Sequence, residues 1–164
     1  MNRSSLRALT TGAVIAALYA VAALVSSLLG LGFGPVQFRL SEALCLLPLV
    51  CSPAVAGLTV GCLIVNLLSP FGLPDLVFGA LATFLAASLT RRCKNKWLAG
   101  LPPVLCNALI VSAVLAAEEA GTAAAALPLF FYHFLSIGIG EALTVYLLGL
   151  PLLHYIKKRN LWEV

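Results

Sequence analysis

Long apolar runs separated by a few polar clusters set out the elements of this chain. A first helix is expected at about 6–29, with Arg3 and Arg7 at its start. From Ala43 to Thr90 there are 48 residues, about 72 Å as helix, where one crossing of a bilayer core needs roughly 30 Å. Three shorter helices fit this length, at about 42–52, 54–69 and 75–90. Pro48 and Pro53 bracket one break, and Ser69 to Pro74 forms the other. Two more helices follow at about 97–117 and 127–155. The second helix is short for a full span and is expected to tilt, bend at Pro48 or start earlier. The first is too long for a cleaved signal and lacks an A-x-A site near a polar boundary.

Charge distribution gives these helices a direction. Arg3 and Arg7 open the first, Arg91, Arg92, Lys94 and Lys96 follow the fourth, and Lys157, Lys158 and Arg159 close the last; only Arg39 stands apart. Cations collect on the cytoplasmic side of membrane proteins, so an odd number of crossings should separate Arg39 from Arg91. The pattern predicts an all-α membrane protein, a bundle of six transmembrane helices with both termini cytoplasmic. Trp97, Tyr155 and Trp162 would mark the inner interface, and Phe130, Phe131, Tyr132 and Phe134 the outer one.

Composition agrees. The chain is 62% hydrophobic and 10% charged with a mean hydropathy of +1.06, whereas soluble domains carry about 25% charged residues. Residues 1–164 read as a single integral membrane domain. The net charge of +4 follows sidedness and is no nucleic-acid footprint, so no nucleic-acid partner is expected. Five cysteines, Cys45, Cys51, Cys62, Cys93 and Cys106, show no C-x-x-C spacing, which points to packing and to neither metal nor disulfide. No phosphate loop is present, and Gly30, Gly32 and Gly34 around Phe33 do not match G-x-G-x-x-G. Any use of ATP must come from partners. His133 with a serine and a carboxylate lacks the elbow of a hydrolase, so no enzyme and no cofactor are expected.

Against this apolar background the polar residues stand out, because an ionisable group at mid-bilayer costs about 2.5–3.5 kcal/mol. Gln37 and Arg39 lie in the first outer loop, Glu42 follows Ser41 at a helix start, Asn66 ends the third helix and Asp75 opens the fourth. These five should share the outer side. Asn107 lies near mid-depth, and Glu141, eight residues after His133, shares a helical face with it and Ile137. Each also has a plainer reading. Arg39 and Glu42 can pair, Ser41 and Asp75 can cap helices, and Asn66 and Asn107 can join helices at about 0.6 kcal/mol apiece. His133 suits an interface, and Glu118 and Glu119 a solvated loop. Glu141 alone requires a proton or a nearby donor. On the first helix Ala13, Ala16, Ala20 and Ala23, continued by Ser27, form a smooth stripe for close helix approach, within the bundle or outside it.

The runs V-Q-F-R-L-S-E-A-L, G-C-L-I-V-N-L-L-S-P-F-G-L-P-D-L-V-F-G-A-L-A-T, L-P-P-V-L-C-N-A-L-I-V and G-I-G-E-A-L resemble the QueT family of queuosine-precursor transporters over nearly the whole chain. The resemblance implies a substrate-binding (S) component of an energy-coupling factor importer in the bacterial plasma membrane. It implies a six-helix bundle with its ligand near the outer face, driven by two ATPase subunits through a transmembrane coupling protein. On that reading Ala13, Ala16, Ala20 and Ala23 meet the coupling protein. The implied ligand is a 7-deazaguanine such as queuine or its cyano- or aminomethyl-bearing precursors. Glu42 or Glu141 would accept from its N–H edge, and Gln37, Asn107 or Arg39 would donate to its carbonyl. Phe38, Phe71 or Tyr132 would stack on the ring, with Asn66, Asp75 and His133 completing the candidate set. A stand-alone secondary transporter or S component for another heteroaromatic nutrient is the alternative, although residues 1–80 and 81–164 show no internal similarity. A purely structural subunit would leave the outer polar set unexplained.

Overall fold

Proline positions, charge-free runs and small residues at close contacts account for most of the architecture. The computed structural model describes residues 2–31, 37–69, 72–159 and 161; Gly32, Phe33, Gly34, Val36, Phe71 and Trp162, considered above, lie outside that set. The described residues form helices and no strand. They are α1 (Arg3–Leu28), α2 (Leu40–Leu49), α3 (Ala54–Asn66), α4 (Gly72–Arg92), α5 (Leu98–Glu119) and α6 (Ala123–Arg159). The six expected helices are therefore all found. Four of them, α1, α4, α5 and α6, are long and apolar enough to cross a membrane, while α2 and α3 have 10 and 13 residues.

Winding distinguishes α2 from the expected α-helix, since it is a 3-10 helix throughout. Ten residues then reach about 20 Å where α-winding would give about 15 Å, which lengthens an otherwise short element. Three residues per turn also align Glu42, Cys45 and Pro48 in one row. Ser26 of α1 starts the helix from outside: its Oγ accepts the Leu40 N–H at 2.8 Å. Three π-wound segments, Asp75–Gly79, Asn107–Val111 and Thr144–Gly149, interrupt α4, α5 and α6. The last precedes Pro151, which has no N–H for the carbonyl of Leu147 and so removes the ordinary α-helical bond there.

Close contacts fix the helix directions. A Cβ on Gly57 would meet the Gly12 carbonyl oxygen at 2.6 Å, and one on Gly61 the Ala16 carbonyl oxygen at 2.8 Å. Contacts on α1 and α3 thus advance together, and the two helices are parallel, so α2 carries the chain back between them. Contacts of Gln37 with Gly140 and of Ala43 with Gly149 likewise run α2 parallel to α6, whereas α5 and α6 are antiparallel through Asn107–Glu141 and Glu119–His133. Ile15, Leu58, Ala87 and Ile156 pack in one core cluster. Arg3, Arg7, Arg91, Arg92 and Lys157 to Arg159 all extend beyond it, at one end of the bundle. Leu18, Val21, Phe84, Leu109 and Ile139 face outward while alanines, serines and threonines fill the interior, as expected of a protein whose solvent is lipid.

Gly57→Ala is expected to destabilise the bundle by about 1–3 kcal/mol, because the new methyl group meets backbone that cannot rotate away. A lowered thermal midpoint of the purified protein checks this, and an unchanged one would show that α1 and α3 are not so tightly joined.

Candidate functional site

Glu42 and Glu141 meet inside the bundle, brought together by α2 lying against α6. Gly140 makes the approach possible: a Cβ there would overlap the carbonyl of Gln37, so the loop backbone rests directly on α6 beside Glu141. The Phe38 N–H donates to the Leu31 carbonyl at 2.9 Å, which ties the same loop to the end of α1. Both carboxylates are buried, at 1% and 3% exposure.

Glu42 is surrounded by donors. The Tyr19 hydroxyl donates to its Oε1 at 2.6 Å and that of Ser41 to the same atom at 3.3 Å, while the Cys45 thiol donates to Oε2 at 2.8 Å. Glu141 receives the Asn107 side-chain N–H on Oε1 at 2.8 Å. One oxygen from each carboxylate and the Cys45 sulfur all lie within 4.8 Å of one another. Two like charges so close in an apolar bundle require a shared proton, a cation or a ligand rich in donors. Arg39, half-buried, lies within electrostatic reach of Glu42, Glu141 and Tyr19. It forms no ion pair within 4 Å and donates no hydrogen bond among the described residues, so the simple Arg39–Glu42 pair considered above is not made. The three ligand-type atoms could also hold a metal ion. Tyr19, Ser41, Cys45 and Asn107 already direct donors at the carboxylates, an environment better suited to hydrogen-bonding partners.

Other candidates are distributed differently. Asn66 Nδ2 donates to the Asp75 carbonyl at 2.9 Å, and this contact fastens α3 to α4 with Gly79 leaving room for the amide. Neither Ser41 nor Asp75 caps its helix. Tyr132 is 55% exposed on the outside of the bundle, about 100° around α6 from His133, and this removes it as a ring-stacking residue. Phe38 is half-buried beside Arg39, and Phe71 lies outside the described residues. His133 is buried against its neighbours; its Nε2 lies 3.0 Å from Glu119 Oε2, so Glu119 is a partner and not simply solvated.

Ala16, Ala20 and Ala23 are buried, and Ala13 is exposed. Ala20 and Ala23 therefore serve the chain's own packing, where a partner has no access. Toward the cationic end, Gly12, Ala13 and Ala16 with Pro53, Ala56 and Gly57 line an apolar groove of about 570 Å³ between α1 and α3.

Sequence reading missed Tyr19, Cys45 as a donor, and the role of Glu119. Tyr19 had a usable signal, being an isolated tyrosine near the middle of an apolar helix, where its hydroxyl must find a partner.

Interior carboxylates in a lipid-facing helical bundle characterise multi-pass membrane proteins that bind or move solutes. Sequence comparison places the chain within that class: residues 9–158 match the QueT transporter family, and the chain belongs to it. The chain is similar to the queuosine precursor transporter QueT of Lactococcus lactis subsp. cremoris (strain MG1363), at 35% identity over 89 residues. This match covers 54% of the chain and spans about half, 52%, of that relative. No solved structure matches the chain.

Proposed function

We propose that the chain is the S component of an energy-coupling factor importer in the bacterial plasma membrane, and that it captures a queuosine precursor of the 7-deazaguanine type. The buried Glu42–Glu141 pair carries this reading, since a deazaguanine offers the ring N–H and exocyclic amine that such a pair lacks. Glu141 is the edge reader: it holds one protein donor, whereas Glu42 already holds Tyr19, Ser41 and Cys45. Asn107 orients Glu141, Arg39 donates to the ring carbonyl, and Phe38 stacks on the ring face. Gln37 closes the loop over α6, with Asn66 and Asp75 bracing the outer rim.

The chain crosses the membrane six times with both termini in the cytoplasm, in keeping with the cations at one end of the bundle. A transmembrane coupling protein docks on the groove at Ala13, the exposed member of the alanine stripe, and two ATPase subunits supply the energy. The small side chains there allow a partner helix close contact.

Calorimetry of the purified chain against guanine, queuine and the cyano- and aminomethyl-bearing precursors tests the ligand. Binding of a deazaguanine is expected, and failure of all four ligands to bind would overturn the assignment in favour of another nutrient. Ala13→Phe should fill the groove and reduce uptake in cells about tenfold or more while the purified variant still binds ligand. Uptake by the chain alone, reconstituted without ATPases, would instead identify a secondary transporter.

A further inference from the structure

Every lysine and arginine except Arg39 lies at one end of the bundle. Asp75, Glu118 and Glu119 sit at the far ends of α4 and α5, and Glu42 and Glu141 are interior, so among the described residues this end carries no acid. None of its cations forms an ion pair with those acids. Orientation in a membrane asks only that cations be on that side. The turn between α4 and α5 goes further, because it holds four of them on a fixed frame.

Arg91, Arg92, Lys94 and Lys96 are all exposed on this turn. Across its base Thr90 Oγ1 donates to the Ala99 carbonyl at 3.0 Å, and within it the Trp97 N–H donates to Asn95 Oδ1 at 2.9 Å. The Tyr146 hydroxyl of α6 donates to the Trp97 carbonyl at 2.9 Å, and Gly100 leaves space for the Tyr146 ring, which a Cβ there would meet at 2.7 Å.

Helix α6 completes the frame. Cys93, between Arg92 and Lys94, packs with Leu150 against the cluster that contains Ala99 and Leu153. Residues Leu150–Arg159 are regularly α-helical. Lys157, four residues beyond Leu153 (157 − 153) and seven beyond Leu150 (157 − 150), therefore lies on the face that meets the turn, about 6 Å farther along the axis. It is exposed and overhangs the turn. Cations thus approach one place from two elements, Arg92 and Lys94 from the turn and Lys157 from the helix end.

Like charges gathered without acids attract an anion. The surface beside them is apolar: Trp97, Leu98 and Leu101 are all exposed, and Lys96 Nζ lies 5.9 Å from the centroid of the Trp97 ring. An indole with a cation over it suits the headgroup level of a bilayer, where the ring meets glycerol and acyl chains and the cation meets phosphate. A free anion would leave the apolar side unused. A phosphodiester carrying acyl chains occupies both.

We propose that the α4–α5 turn and the overhanging end of α6 form a site for the phosphate headgroup of an anionic phospholipid, with Arg92, Lys94 and Lys157 around the phosphate and Trp97 against the glycerol and chains. The site is independent of the solute that Glu42 and Glu141 bind.

Quenching of Trp97 fluorescence in the reconstituted full chain tests this. The chain has two tryptophans, so Trp162→Phe leaves Trp97 as the reporter. Brominated phosphatidylglycerol, mixed into bilayers of unlabelled phosphatidylcholine, is expected to bind beside Trp97 about tenfold more tightly than brominated phosphatidylcholine. Lys94→Gln combined with Lys157→Gln should lower that preference to about twofold or less. Arg3→Gln combined with Arg7→Gln removes the same charge from α1 and should leave it nearly unchanged. Equal quenching by the two lipids, or equal losses in the two double variants, would overturn the site and leave only a diffuse positive surface. Inorganic phosphate should reduce the preference no more than chloride of equal ionic strength does. A loss specific to phosphate would assign the site to a free anion and overturn the lipid as its occupant.

Discussion

Glu42→Leu is expected to destabilise the bundle by at least about 3 kcal/mol, because it removes the common acceptor of three buried donors, each costing about 1–3 kcal/mol when unpaired. Tyr19, Ser41 and Cys45 would lose their bonds together. Glu42→Gln keeps one carbonyl oxygen but turns an amide toward the other donors, so its effect should be intermediate. Thermal unfolding of a double-mutant cycle checks the cause: Tyr19→Phe should cost less in the Glu42→Leu background than in the natural chain, since the hydroxyl has already lost its acceptor. Additive losses, or a Glu42→Leu protein as stable as its parent, would show that these side chains do not converge.

Gly140→Ala should have a similarly large effect through a different cause. Its methyl group would overlap the Gln37 carbonyl, which is backbone and has no rotamer to adopt. Overpacking of this kind costs about 1–3 kcal/mol and occasionally more. Displacing the loop also carries Phe38 and Arg39 away from Glu141, so ligand binding should fall more than stability does. Ligand titration and thermal unfolding of the same variant separate the two effects. Ala substitution at Gly138, where the nearest atom is the Ala108 Cβ at an ordinary 3.6 Å, serves as the control and should be nearly neutral. A Gly140→Ala protein that binds ligand normally would place the loop elsewhere.

These outcomes depend on features of unequal visibility in the chain. Helix positions were legible because apolar runs and prolines act locally: Pro53 and the break before Gly72 separate helices whatever packs beside them. The clustering of cations at run ends was legible too, and the folded helices bring those ends together. The face shared by His133, Ile137 and Glu141 followed from helical periodicity, and all three residues are buried. Helix winding was not legible. A 3-10 α2 and the three π segments arise where proline, depth and neighbouring backbone compete, and these balances are set by contacts with other helices. The alanine stripe shows the same limit. Its smoothness could be read, but which of its residues were covered by α3 depended on Gly57 and Gly61.

Apolar runs and the placement of charge along the chain are enough to specify a lipid-facing bundle of helices with cations at the run ends and a small set of interior polar residues, because burying charge in hydrocarbon is too costly to be incidental. That Glu42 and Glu141, 99 residues apart (141 − 42), share one site follows from the packing of helices alone. The same packing decided that Tyr19 and Cys45 support them and that Tyr132 faces outward. Hydrophobic burial specifies which face of a helix turns inward, but the partner it meets there depends on register, close approach at glycine and the winding of the neighbouring helix.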